Sequence, residues 1–301
     1  MSARSRLLAL LVVLLTVGAA ALSWWQAEQS HATVREQTML RAQQRGAQVA
    51  DAMSGQVAAL LAGIDIALLQ LRREWDGDVA RFDPTVRDLL ASLPAGAVSH
   101  FTVVGADGHT VYNSLDARER VYVGDREHFV AHLDGRDRLV VGKPVRSRLA
   151  HAWTVVVDRP ILHDGRFAGT VNASVPTQYL AARLGALALT RRDVVALLHT
   201  DGSFVARSHD HDAAMGQRLP ADRPFLRDPA APHGTFRAVG QVDGVARLYA
   251  WHRMPEHGLI VAVGLAEDEA LAPLLPAQAR ERWIMVGMNA AALVLGAVVV
   301  A

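Results

Sequence analysis

The densest concentration of groups able to hold a charged or polar molecule lies between residues 125 and 159. The run Asp125-Arg126-Glu127-His128-Phe129-Val130-Ala131-His132 places His128, Phe129 and His132 at helical spacing. Asp125 is expected to cap this helix, Asp134-Gly135 to end it, and Phe129 to fill the core beneath it. A helix lying across a sheet would turn Arg126 and His128 into the gap between the two layers. Lys143, Arg146, Arg148, His151, Trp153 and Arg159 follow. Arg146 and Arg148 are two apart, so they share a face if the segment is strand. A guanidinium is a planar fork of donors that matches a carboxylate, and Trp153 would add an apolar wall. The candidate ligand-binding residues are therefore Arg126, His128, His132, Lys143, Arg146, Arg148 and Trp153. Asp125 and Phe129 are candidate structural residues. The chemistry expected is non-covalent capture of a small organic anion such as a carboxylate.

Other constellations point less sharply. His209-Asp210-His211 has two imidazoles in a loop, but a polar turn explains them without a metal. Tyr249 and Trp251 share a strand face near Arg207, as core or as a second pocket. Phosphate-binding glycine loops, nucleophile elbows and metalloprotease helices are missing from the sequence, so no catalytic residue, metal or cofactor is assigned. The 301 residues carry 31 basic and 30 acidic side chains, a net charge of +1, which gives no reason to expect a nucleic-acid partner. The absence of cysteine excludes disulfides, thiolate catalysis and thiolate metal sites.

The elements that must position these residues can be read from periodicity. Leu7–Trp25 and Trp283–Ala301 are uncharged runs of 19 residues, close to the ~20 a membrane-crossing helix needs. Arg4 and Arg6 place residues 1–6 in the cytoplasm, and residues 26–282 then lie outside it. Ala19-Ala20-Ala21 would also suit a signal-peptide cleavage site. The apolar run reaches Ala301 without a charged tail, so a cytoplasmic output part is expected beyond it. Between the runs, Val49, Met53, Val57, Leu60, Ile64, Leu68, Leu71 and Trp75 form one stripe on a helix over 27–75. A short helix is expected to start with Asp83 as cap and Pro84 in its first position.

From Ser99 the period becomes 2. Asp-Gly pairs at 107-108, 164-165, 201-202 and 243-244 signal hairpins between apolar segments. Strands are expected at 101–104, 111–114, 139–145, 153–161 and 167–174, then at 194–199, 204–207, 235–239, 245–251 and 259–264, with a helix Gln178–Leu187 between the sets. Val104–Ser114 aligns with Leu198–Ser208 at an offset of 94. The expected fold class is α+β: a long N-terminal helix, then two tandem PAS-like antiparallel α/β modules, flanked by two transmembrane helices. The modules would be residues 76–187, distal to the membrane, and 188–282, proximal to it with a juxtamembrane segment in which Pro273 and Pro276 delay a continuous helix to about Ala277.

This arrangement resembles the double Cache sensor domains. The likeness covers about residues 30–275. It rests most on Val123–His132, Gly142-Lys143-Pro144-Val145-Arg146-Ser147-Arg148, Trp153-Thr154-Val155 and Asp164–Gly169. These segments resemble a subgroup found ahead of diguanylate cyclase and histidine kinase modules. The resemblance implies a small-molecule pocket in the first module. The arginine–tryptophan–tyrosine pattern of amino-acid-binding members is not clearly matched, which points away from an amino acid. The expected function is ligand sensing by a homodimeric transmembrane receptor; the alternative is a stand-alone membrane-anchored binding or adaptor protein.

Overall fold

The apolar stripe from Val49 to Leu71 lies on one continuous helix, α1 (Ala3–Glu74), with Trp75 just past its end. Met53, Val57, Ile64, Leu68 and Leu71 are buried along it, and Val49, Leu60 and Trp75 are half-buried at its margins. A computed structural model of the chain describes residues 3–116, 120–148, 150–186 and 190–300. Leu187 and Ala301, the last residues of two expected helices, and the first two residues of the N-terminus lie outside them.

After α1 come α2 (Val79–Ser92), β1 (His100–Gly105), β2 (Thr110–Asn113), α3 (Glu127–Val130), β3 (Val140–Val141) and β4 (Val145–Arg146). The first module ends with β5 (Trp153–His163), β6 (Arg166–Pro176) and α4 (Thr177–Gly185). The second has β7 (Val194–His199), β8 (Phe204–Arg207), α5 (His211–Ala214), α6 (Pro224–Arg227), β9 (His233–Val239), β10 (Ala246–Met254) and β11 (Leu259–Ala266). The chain closes with α7 (Glu267–Leu271) and α8 (Leu274–Val300).

Both sheets are antiparallel and share one order, β2-β1-β6-β5-β3 (with β4 also on β5) and β8-β7-β11-β10-β9. The repeat is exact in hydrogen bonding. Gly105 N–H donates to His109 O and Gly108 N–H to Gly105 O; His199 to Ser203 and Gly202 to His199 repeat the pair 94 residues later. Ser114 and Ser208 repeat in the same way, each hydroxyl accepting from the backbone N–H of Phe101 or Val195. In both hairpins only the glycine has positive φ, with a register shift in the strand before it, so these are turns closed by a glycine bulge. Asp164-Gly165 differs: both φ values are positive and His163 pairs Arg166, a two-residue hairpin.

Residues 45–265, which hold nearly all of both sheets, form one compact unit. The carboxyl-terminal part of α1 packs on both sheets. Gly46 lies against Ala250 and Leu265 of the second module. Farther along, Asp65 accepts two hydrogen bonds from Arg159 on β5, at 2.5 and 2.8 Å. The face of the first sheet carrying Phe101, Val103, Val155, Val157, Val171, Ala173 and Val175 is buried and apolar, with Arg159 at its margin bonded to Asp65. Its other face is the polar one that builds the site below.

Three local expectations need correction. α2 starts before Asp83: Asp78 is its N-cap, accepting from the N–H groups of Ala80 and Arg81, and Pro84 sits inside the helix. Asp83 instead accepts from the Tyr112 hydroxyl at 2.8 Å and pairs with Arg87. The single strand expected over 139–145 is two short pieces, β3 and β4, because Gly142-Lys143-Pro144 breaks the ladder between them. α8 begins at Leu274 rather than Ala277, since Pro276 falls in its first turn, where no N–H partner is required.

Residues 1–44 and 266–301 form a second compact unit. Within it α1 and α8 are joined by His31–Glu281 at 2.8 Å and Glu28–Arg282 at 3.1 Å. Among the described residues one helix is long and apolar enough to cross a membrane: α1, whose most apolar window has a mean hydropathy of 1.8 and is 6% buried.

Candidate ligand pocket

The pocket follows from strand register. On β1, β6 and β5 the residues opposite the apolar core alternate as His100 and Thr102, Asn172 and Ser174, Thr154, Val156 and Asp158. Pairing aligns them into rows: Thr102 faces Asn172, which faces Asp158, and His100 faces Ser174, which faces Val156. These rows, apart from Asp158, floor a cavity of about 470 Å³, counting its open mouth. Its walls come from the segment around Val123 and Arg126, from His128 on α3, and from Val145, Ser147 and Arg148.

Where it lines the cavity, the floor is polar and holds no acidic side chain. Burial lowers the His100 imidazole to about 4, so it is neutral at physiological pH. Its nitrogens meet the hydroxyls of Ser99 at 2.9 Å and Ser174 at 3.1 Å. Beside it, Thr154 Oγ1 and Asn172 Oδ1 are buried without a hydrogen-bond partner among the described residues. An unpaired buried polar atom costs about 1–3 kcal/mol, so two at one cavity mark a surface built to be bonded by something that enters.

The rim carries the charge. Arg126 is half-buried and its guanidinium makes no hydrogen bond among the described residues. Arg148 is engaged: it donates to both oxygens of Asp125, at 3.1 and 2.9 Å, and to the carbonyl of Tyr122. Those bonds hold the Asp125 carboxyl below its ordinary value and tie the segment before α3 to the turn after β4. Asp125 is therefore not the helix cap that its position suggested. Arg126 occupies the cap position, without a side-chain bond, because Asp125 is drawn to the guanidinium across the mouth. Among the described lining residues none is a carboxylate.

The structure brings three of the seven sequence-derived candidates to this cavity: Arg126, His128 and Arg148. His132 lies deeper, fully buried, with Nε2 3.2 Å from Asp158, whose other oxygen is 2.6 Å from His128 Nδ1. Lys143 pairs instead with Glu127 at 2.8 Å and with Asp201 of the second module at 3.4 Å. Arg146 is exposed and bonds the His151 carbonyl at 3.5 Å. Trp153 packs toward Gly216 and the second module's core. Arg159, opposite in parity to Asp158, points to α1. Phe129 fills the core, edge-on to Phe167 at 5.4 Å. The His209 and His211 rings have separate partners, Ser208 for the first and Thr177 with the Arg207 N–H for the second.

Residues that the sequence reading missed are the floor itself: His100, Thr102, Thr154, Asn172 and Ser174. Their signal was period-2 polarity inside strands that are otherwise continuous apolar runs.

With this geometry in hand, the chain can be set beside known proteins. Residues 178–264 match a family model described as "dCache_1_like: Histidine kinase sensor domain". The fold is that of a double Cache sensor domain. A crystal structure named as the extracellular domain of histidine kinase rpHK1S-Z16 superposes with a TM-score of 0.62 at 24% identity, over 81% of this chain and 97% of that one. The ligand-binding domain of Mlp24, solved with asparagine, gives 0.57 at 18%, over 79% and 98%. That of the Pseudomonas fluorescens chemoreceptor CtaA, with L-isoleucine, gives 0.58 at 14%, over 81% and 98%. None of the curated proteins matches the chain in sequence. Within the double Cache fold, the cavity described above belongs to the first module and the family-model match to the second.

Proposed function

We propose that the chain is the sensing region of a two-pass receptor of the bacterial inner membrane, which binds a small organic acid outside the cytoplasm. Residues 7–25 and 283–301 are the spans, residues 76–187 the membrane-distal module and 188–282 the proximal one. The exposed apolar side chains Leu10, Leu11, Leu14 and Leu15 on α1, and Trp283, Ile284, Met288 and Leu293 on α8, support two membrane-facing helices. An active-outside-only reporter fused after residue 120 is the expected result; cytoplasmic activity there would reverse the orientation.

The observation that carries the ligand reading is the pairing of an unengaged Arg126 with a floor of unbonded Thr and Asn atoms, and no carboxylate in the lining. An ammonium group would find no carboxylate lining the cavity, Asp125 at the mouth being bound to Arg148, whereas a carboxylate would meet a planar donor and a hydroxy or keto group would meet the floor. His128 and Arg148 complete the wall. Binding would act on α1 through β5, where Arg159 holds Asp65, and on the second module through Lys143 and Asp201. Such a ligand shifts the receptor only by its differential affinity for two states. A homodimer passing this change to a diguanylate cyclase or histidine kinase module is the assembly we favour.

Calorimetric titration of the full chain with small hydroxy, keto and dicarboxylic acids tests this. Arg126→Gln is expected to weaken binding roughly tenfold to a hundredfold, the scale of one lost charge-assisted bond. Equal affinity in the variant, or tighter binding of amines than of acids, would sink the organic-acid reading.

A further inference from the structure

The second module contains a cavity of different character. It lies on one face of the second sheet, covered by the segment that carries Leu219, Arg223 and Phe225 and by the β9–β10 turn at Gly240, Gln241 and Val242, and has a volume of about 460 Å³, counting its mouth. Its walls are aromatic. Phe236 stacks on Tyr249 with centroids 5.1 Å apart and meets Phe225 at a steep angle at 5.8 Å. Leu198 and Ala262 close the floor.

Among the described residues two cations, Arg207 and Arg223, border this apolar space, and one of them is available. Arg207 is held by Asp243 at 2.6 Å, by Asp210 at 3.2 Å and by the His209 carbonyl. Arg223 is half-buried at the rim, 5.9 Å from the Phe236 ring centroid, and its side chain has no hydrogen bond or ion pair among the described residues. A guanidinium left over an aromatic face, beside a cavity of aromatic walls, fits a molecule with a flat or branched hydrocarbon body and one carboxylate.

We infer that the membrane-proximal module binds a monocarboxylic acid with an aromatic or branched aliphatic body, its carboxylate on Arg223 and its body against Phe236, Tyr249 and Phe225. The site is independent of the first cavity, whose polar floor suits the opposite kind of acid.

Binding of phenylacetate and 4-methylpentanoate is measured on the full chain in lipid nanodiscs, with empty nanodiscs subtracted. The expected result is saturable binding, weakened roughly tenfold to a hundredfold by Arg223→Gln and abolished by Ala238→Phe, which fills the cavity from the edge strand. Phenylacetamide, isosteric but uncharged, is expected to bind more weakly than phenylacetate. It makes the charge comparison on the unaltered chain should Arg223→Gln not fold. Loss of binding in Arg126→Gln with retention in Arg223→Gln would assign the acids to the first cavity and overturn the inference. Equal binding of phenylacetamide and phenylacetate, or no saturable binding of either acid, would overturn it as well.

Discussion

Replacing Asp243 by alanine is expected to lower the stability of residues 45–265 by about 3–5 kcal/mol, the cost of stranding buried charge. Asp243 accepts from Arg247 at 2.8 and 2.6 Å and from Arg207 at 2.6 Å. The two arginine side chains are only 4% and 3% exposed. Neither guanidinium can shed its charge, so truncating the carboxylate leaves two buried cations facing each other. Arg207 keeps Asp210 and Arg247 keeps the Arg192 carbonyl, which caps the loss. Burial alone would raise the Asp243 carboxyl, but the bonds from Arg247, Arg207 and the Val245 N–H hold it well below its ordinary 3.8. The contribution is therefore present above pH ~4 and lost as pH falls toward the lowered folded value. Chemical denaturation checks this: a loss under about 0.5 kcal/mol, the range of an unremarkable surface change, would mean the cluster is not the clasp it resembles. Asp243→Asn should lose less, because the amide still accepts from one arginine. The same residue pins the hairpin over the second cavity, so the alanine variant should also open that cavity to solvent.

How far the sequence reveals this molecule depends on the range of the interaction. Asp-Gly turns and the stripe on α1 are local, so hairpins and helix were legible residue by residue. The 94-residue repeat was legible because each copy carries its own turn and its own Ser-to-backbone bond. The polar floor was not. His100 and Ser174 meet only through the β1–β6 register, across 74 residues, and no local pattern supplies that pairing. Charged residues drew attention instead, and parity misled there. Arg146 and Arg148 would share a face in a strand, but β4 ends at Arg146 and the following turn sends Arg148 to the pocket mouth and leaves Arg146 in solvent. Asp83-Pro84 failed for a similar reason. It is a sound cap signal, but Asp78 offers the same chemistry earlier, and Tyr112 gives Asp83 a better partner.

Asp158→Ala is expected to cost about 2–4 kcal/mol and to weaken ligand binding in the first cavity. The carboxylate is fully buried and joins two buried imidazoles, at 2.6 Å to His128 Nδ1 and 3.2 Å to His132 Nε2. Removing it strands two ring N–H donors, each worth about 1–3 kcal/mol when left unbonded in the interior. Relief of the carboxylate's own burial offsets part of this, which places the expected loss below that of Asp243→Ala. His132 already has an unbonded Nδ1, so it cannot recover by ring flipping without orphaning the other nitrogen. His128 lines the cavity directly, and Asp158 fixes its ring plane. Freed of that bond, the imidazole would sample rotamers that reach into the space a ligand must occupy. Asp158→Asn separates the two effects. The amide oxygen can still accept from one imidazole, while its NH2 opposes the other, so stability should fall by less than in alanine and affinity should still drop. Denaturant titration and calorimetry on both variants read the pair. Affinity intact in both, with stability reduced, would leave the Asp158 cluster as a purely structural core and restrict the binding site to Arg126 and the Thr, Ser and Asn floor.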